Sequence, residues 1–362
     1  MKDDDSNHLV DSSLILPPTV RQVLHSAIEE LKEASVDEAE DSVFQIMSKV
    51  LDLSWESGFR ELRGIYHSAP APATNISTHH HRDNENDALA IRRLTAGEQN
   101  MLEDLLSRRK LHEPIQYLMG RWDFLDHVFT VVPPLLCPRP ETEELVLHAE
   151  ASGEQQQRGK NGCNNSTSSA SIIRILDVGT GTGCIGISLA SRLPQSIVTA
   201  IDVEPQAVGT AQENAQRILG ATAANSRYQV HLVSAQEYQI EAAAEDRTRF
   251  DLVVSNPPYI PSRDMGTLDA VVSQWESHEA LCGGEDGMDV IRTIVQQLPY
   301  WCHVGADCWM EVDPTHPALL QSWLGQEQDD DVGVIFIESR PDLFGMDRFV
   351  HLRVTKEREK VI

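Results

Sequence analysis

"ILDVGTGTGCIGISLA", residues 175–190, decides the fold. An apolar run closes on an acid, Asp177, and Gly179, Gly181 and Gly183 follow before apolar residues resume at helical spacing. Glycine lets a backbone turn tightly and approach a ligand, and the first turn of the helix beyond leaves N–H groups unpaired. The stretch therefore reads as strand, ligand-bearing turn, helix. Outward from it the alternation continues: "SIVTAIDV" (196–203) is a strand, "PQAVGTAQENAQRIL" (205–219) a helix, and "YQVHLV" (228–233) and "FDLVVS" (250–255) further strands. Near-continuous apolar strands alternating with helices imply a parallel, doubly wound α/β sheet. "CWMEV" (308–312), "VGVIFIES" (332–339) and "FVHLRVT" (349–355) extend it, the last two pairing antiparallel at one edge.

Gly181, Gly183 and Gly186 also spell G-x-G-x-x-G, the dinucleotide fingerprint, and Asp202 at the end of the next strand suits a ribose hydroxyl under either reading. Two features move the balance away from a dehydrogenase. Asp177 would repel a pyrophosphate but suits a cofactor carrying an ammonium group. The fourth strand, moreover, runs into Asn256-Pro257-Pro258-Tyr259. Consecutive prolines lack N–H groups and fix their own φ, so a strand stops there on a stiff backbone. An amide or exocyclic amine nitrogen is a poor nucleophile because its lone pair is conjugated. A site can help by accepting both N–H hydrogens, through the Asn256 side chain and the Pro257 carbonyl, with the Tyr259 ring as a resting face. The prolines preorganise those acceptors. With a sulfonium as methyl donor, transfer is an in-line displacement that needs alignment more than a strong base. A Pro-Pro stop with a turn-capping Asn is the plain alternative. The position of the motif, four strands into a sheet that opens with D-x-G-x-G-x-G, weighs against it.

Composition narrows the partners. The 362-residue chain is long enough for two domains and carries a formal charge of −26, with no Lys/Arg-rich block, which disfavours direct nucleic-acid binding. No apolar run approaches a membrane span. Six scattered cysteines without a C-x-x-C pair favour a reducing compartment and argue against a structural zinc. Residues 19–66 read as helical, with Val20, Val23, Leu24, Ile28 and Leu31 on one face and Val43, Ile46, Met47, Val50 and Leu51 on another. A helix resumes near Thr95 with Met101, Leu102, Leu105 and Leu106 inward. Residues 67–88, with His79, His80 and His81, and residues 151–171 read as low-complexity loops, the histidines lacking partners at metal-ligand spacing. The expected organisation is a helical domain over 1–112, a β-hairpin linker over 113–138 and a catalytic domain over 139–362.

"EPIQYLMG" (113–120), "PRPETEELV" (138–146), "DVGTGTGCIGISLA" (177–190), "SNPPYI" (255–260) and "WESHEALCGGEDGM" (275–288) stand in the order of the blocks of one family. From about Ala34 to the C-terminus, the two inserts apart, the chain resembles the HemK/PrmC release factor glutamine methyltransferases. The resemblance implies a class I S-adenosylmethionine-dependent methyltransferase, a Rossmann-like seven-stranded sheet with an N-terminal helical substrate-docking domain that includes "LTAGEQNMLEDLLSRRKLHEPI" (94–115). It implies N5-methylation of the glutamine in the Gly-Gly-Gln motif of a class I peptide chain release factor. Carried over, Gly179, Thr180, Gly181, Thr182 and Gly183 line the methionine part of the cofactor and Asp202 holds its ribose. Asn256, Pro257, Pro258 and Tyr259 hold the glutamine amide, with Arg139, Glu141 and Glu143 near the substrate pocket. Where the family often has an acid and an aromatic near the adenine, this chain has Ser234-Ala235-Gln236-Glu237, so Gln236 or Glu237 is expected to substitute. The family also implies a mitochondrial setting, although the N-terminus "MKDDDSNHL" shows no presequence character. A monomer is expected. The rivals are an N-methyltransferase acting on DNA or RNA, which shares Asn-Pro-Pro-Tyr, and a silent methyltransferase-fold binding subunit, which would be free to lose Asn256 or the glycines.

Overall fold

Two threonines open helices in the first part of the chain through reciprocal capping boxes: Thr19 with Gln22, and Thr95 with Glu98. The computed structural model describes residues 16–68, 83–163, 171–238, 249–326 and 332–358. They fall into two compact units that meet in sequence at Met119–Gly120. The first holds α1 (Val20–Glu33), α2 (Ala39–Val50), α3 (Trp55–His67), α4 (Asp83–Ile91), α5 (Ala96–Lys110) and α6 (Ile115–Met119). Its core gathers Leu24, Ile28 and Leu31 against Val43, Phe44, Ile46, Met47 and Leu62.

Three expectations change here. Residues 83–91 are helical although 83–88 lie in a stretch read as loop; among the helix's described side chains Ala90 is the buried one, too few to show a period. Residues 115–119 form a helical turn rather than part of a hairpin. Met101 is 38% exposed, because the buried arc of α5 centres on Leu102 and Arg109, and at 100° per residue Met101 lies about a quarter turn away. The Arg109 guanidinium is satisfied inside by the Ser42 hydroxyl and the Glu113 carbonyl. His79, His80 and His81 lie outside the described residues.

The second unit begins with a hairpin, β1 (Arg121–Phe124) and β2 (His127–Thr130), whose Phe124 and Phe129 are buried edge to face. Then follow α7 (Pro140–Cys163), β3 (Ile173–Val178), α8 (Cys184–Arg192), β4 (Ser196–Asp202), α9 (Pro205–Leu219), α10 (Ala221–Arg227), β5 (Tyr228–Leu232) and β6 (Phe250–Ser255). After β6 come α11 (Ala270–Ser273), α12 (His278–Leu281), α13 (Asp289–Trp301), β7 (Cys302–Glu311), α14 (His316–Gln326), β8 (Val334–Pro341) and β9 (Asp347–Val354). The sheet order is β5-β4-β3-β6-β7-β9-β8, seven strands as in class I methyltransferases. Strands β3 to β7 pair in parallel, and β9 enters antiparallel between β7 and β8. α7, α8 and α9 cover one face; α13 and α14 cover the other.

Residues 151–163, also read as loop, continue α7. "EQQQRGK" carries no apolar stripe, so periodicity is silent, but polar ties hold it. Gln156 donates to the Gly305 carbonyl and Asp307, Gln157 to the Ser171 carbonyl and Gln195, and Lys160 to Asp251. The sheet reverses its winding between β3 and β6. In such sheets the crevice beyond the carboxyl ends of those two strands is where ligands bind.

Candidate active site

Asp177 ends β3 fully buried. Its Oδ2 accepts from the Thr180 hydroxyl at 2.6 Å and from the Gly186 amide at 3.0 Å, and burial pushes its pKa up to about 6. The carboxyl thus binds the glycine turn to the first turn of α8 from beneath. Gly186 is required for this closeness, since a Cβ there would sit 2.7 Å from that same oxygen. Gly179 and Gly181 take φ of 73° and 54°, the left-handed region that side chains disfavour, and their outer faces are open.

That open side borders a cavity of about 300 Å³. Of the residues expected at a cofactor, Gly179, Gly181, Asp202, Gln236 and Asn256 line it. Asp177, Thr180, Thr182 and Gly183 do not: Thr180 turns to Asp177, the Thr182 carbonyl accepts from Asn214, and Gly183 packs against Ile187. Asp202 accepts from the Gly181 amide at 2.8 Å and from the Glu204 amide at 2.9 Å, and burial raises its pKa against those donors. Leu136, Ile201, Val233 and Val290 supply apolar wall. An acid beside a glycine turn, with a flat apolar slot alongside, fits a nucleoside-bearing sulfonium in size and donor chemistry. A larger recess of about 730 Å³ opens elsewhere in this unit, bordered by Lys160, Asp251, Asp307 and Arg353. Both its acids are engaged, Asp251 by Lys160 and Asp307 by Arg353 and His351.

Asn256 stands at the cavity where β6 ends. The Ser255 hydroxyl donates to the Val178 carbonyl at 2.7 Å, tying β6 to β3 at that level. The Asn256 Nδ2 donates to the Thr142 hydroxyl oxygen at 3.2 Å, Thr142 donates to Glu311 Oε2 at 2.7 Å, and the Tyr259 hydroxyl donates to Glu311 Oε1 at 3.2 Å. Burial pushes the pKa of Glu311 up, opposed by the Thr142 hydrogen bond and the Arg348 charge; burial likewise raises the Tyr259 phenol. The "LCGGEDGM" block clamps the backbone beyond the prolines. Ile260 N–H donates to the Leu281 carbonyl and Gly283 N–H to the Ile260 carbonyl, both at 2.9 Å, and a Cβ on Gly283 would lie 2.7 Å from the Pro258 oxygen.

Arg139, just before α7, and the acids of the helix's first turn are engaged within the chain. Arg139 reaches both carboxylate oxygens of Glu276, at 2.8 and 2.9 Å, and the Cys137 amide donates to the same carboxylate. Glu143 accepts from the Leu125 amide at 2.9 Å and so caps the hairpin. Glu141 is half-exposed, and its charge helps to raise the pKa of Glu311. Sequence reasoning passed over Thr142 and Glu311. Thr142 lies inside "PRPETE", between residues that the family resemblance had singled out. Glu311 had a signal: an acid closing an apolar strand, as Asp177 and Asp202 do.

The "Methyltransferase small domain" family model matches residues 166–274. The chain is similar to the MTRF1L release factor glutamine methyltransferase of Homo sapiens, 37% identical over 266 residues, covering 74% of this chain and 75% of that one. It is also similar to the release factor glutamine methyltransferase of Koribacter versatilis, 34% identical over 239 residues, 64% of this chain and 75% of that one. A solved structure of a putative RNA methyltransferase from Pyrococcus horikoshii aligns at 14% identity and a TM-score of 0.36 over 61% of this chain and 86% of that one, too distant to bear on function.

Proposed function

The chain belongs to the release factor glutamine methyltransferase family, and from that premise we propose that it transfers a methyl group from S-adenosylmethionine to the side-chain nitrogen of the Gly-Gly-Gln glutamine in a class I peptide chain release factor. One observation carries the reading: Asn256 lines the same cavity as Gly179, Gly181 and Asp202, so the amide acceptor and the glycine turn share one space. In this reading Gly179 and Gly181 present backbone to the methionine portion of the cofactor, Asp202 takes the ribose hydroxyls and Gln236 borders the adenine. The bound sulfonium supplies an electrophilic methyl group.

The chain's own residues orient the nucleophile. Asn256 Oδ1 and the Pro257 carbonyl accept the two N–H hydrogens of the substrate amide, drawing the nitrogen out of conjugation and aiming its lone pair. As the N–C bond forms the methyl–sulfur bond breaks, leaving a neutral thioether, and the two oxygens stabilise the positive charge that develops on the nitrogen until its proton passes to solvent. Tyr259, held by Glu311, keeps the planar amide against its ring. Two acceptors select an NH₂ group and repel the carboxylate of a glutamate. The helical first unit is assigned the docking of the protein substrate, and the setting is assigned to the mitochondrion, with the enzyme a monomer.

The test is mass spectrometry of a recombinant release factor incubated with the protein and S-adenosylmethionine. The expected result is one added methyl group on the Gly-Gly-Gln glutamine, absent with Asn256→Ala. Cofactor binding without any methylation of that glutamine would overturn the assignment.

A further inference from the structure

Hydrogen-bond polarity in the buried chain Asn256–Thr142–Glu311–Tyr259 has a consequence for how the substrate amide is recognised. An ionised carboxylate accepts only, and a threonine hydroxyl has one proton to give. With Glu311 ionised, which the two hydroxyl donors and the Arg348 charge favour against its burial, Thr142 gives its proton to Glu311 Oε2 at 2.7 Å and Tyr259 gives its own to Glu311 Oε1 at 3.2 Å. Thr142 is left with lone pairs alone, so the Asn256 atom 3.2 Å away must be the donor Nδ2. The side-chain oxygen of Asn256 then points the other way. Glu311 and Thr142 are 2% and 3% exposed, so water has little access to rearrange the chain. Arg348 and Arg139 both lie close enough to the Tyr259 phenol to oppose the rise of its pKa, Arg348 favours the Glu311 carboxylate, and Glu141 opposes that carboxylate.

We propose that Thr142 and Glu311 are positioning residues that fix the polarity of the Asn256 amide, so that its oxygen and not its nitrogen meets the substrate. This rests on the function proposed above and adds to it the origin of the preference for glutamine over glutamate. Without the hydroxyl of Thr142, or with a donor in place of Glu311, the Asn256 amide is free to turn over. The pocket would then offer an N–H where the substrate nitrogen needs an acceptor.

The experiment compares Thr142→Val, Thr142→Ser and Glu311→Gln in the full chain. The readouts are methylation of a release factor, cofactor Kd, and competition by Gly-Gly-Gln and Gly-Gly-Glu peptides. Thr142→Val is expected to lower kcat about 100-fold, the order of effect of one misplaced group in a preorganised site, with cofactor Kd unchanged. Thr142→Ser restores the hydroxyl and is expected to stay within a few-fold of the parent. In Thr142→Val and Glu311→Gln the Gly-Gly-Glu peptide gains on Gly-Gly-Gln as a competitor, an inversion that mere loosening of the fold would not produce. Equal losses in the Val and Ser variants, or weakening of both peptides in proportion, would overturn the polarity argument. If the parent protein leaves the release factor unmethylated, the functional assignment falls, and the positioning roles fall with it.

Discussion

Arg139→Ala separates a structural from a substrate-binding role for the arginine that precedes α7. In the structure the Arg139 guanidinium spans both oxygens of Glu276, whose side chain is 0% exposed while that of Arg139 is 33% exposed. Truncation leaves that carboxylate with only the neutral donors of Cys137, its amide at 3.3 Å and its thiol, among the partners described. Breaking a buried ion pair from one side costs about 3–5 kcal/mol; with one partner a third exposed and water able to enter, about 2–3 kcal/mol is expected here. The sign with pH follows from Glu276, whose pKa burial already raises and which Arg139 holds down. Without Arg139 the native state binds a proton more tightly than the unfolded chain does. Native protons then exceed unfolded protons between the unfolded pKa, about 4.3, and the folded one, so stability rises as pH falls through that window. Urea denaturation at pH 7.5 and pH 5 therefore reads a larger deficit at the higher pH. Glu276→Gln in the Arg139→Ala background is expected to recover most of it. Since Ser277 and Ala280 line the cavity just beyond Glu276, cofactor Kd rises a few-fold while KM for the release factor holds. Parent-like stability with a raised KM for the factor would refute the structural role and return Arg139 to the substrate.

The buried acid beneath the glycine turn gives a second test. With Asp177 at a pKa of about 6, this group contributes stability that grows as pH falls from 8 towards 5, because the folded state takes up a proton that the unfolded chain, at about 3.9, does not. Asp177→Asn removes that gain, and denaturation midpoints at the two pH values should draw together; an unchanged pH slope would place the titration elsewhere. Gly183→Ala meets both a φ of 84° and a Cβ position 2.5 Å from Ile187 Cδ1, so a loss of about 1–3 kcal/mol is expected in thermal unfolding. Retention of the parent Tm would show that the turn can relax without cost.

Periodicity reads what packing repeats. The central strands β3, β4 and β6 are legible because both faces are buried and each is a largely apolar run, from Ile173–Val178 to Phe250–Ser255. The continuation of α7 through "EQQQRGK" is not legible, because what holds it is polar ties to residues 14 to 151 positions away, such as Gln156 to Gly305. The same holds for Arg139 and Glu143. The family block marked them as candidates, but their partners, Glu276 and the Leu125 amide, are decided by where the helix start lands.

Sequence alone determined the class of sheet, the glycine turn at Gly179 and Gly181, the acid at Asp202 and the stiff Asn256-Pro257-Pro258-Tyr259 stop, because each is a local demand on backbone or side-chain chemistry. Only the tertiary structure decided which of these share a cavity, that Asp177 faces inward beneath the turn, and that Thr142 and Glu311 stand behind Asn256. Those three facts depend on α7, β3, β6 and β7 meeting at one end of the sheet. A hydrogen bond has a range of about 3 Å and no memory of sequence separation, so 169 positions between Thr142 and Glu311 leave no trace in the chain until it folds.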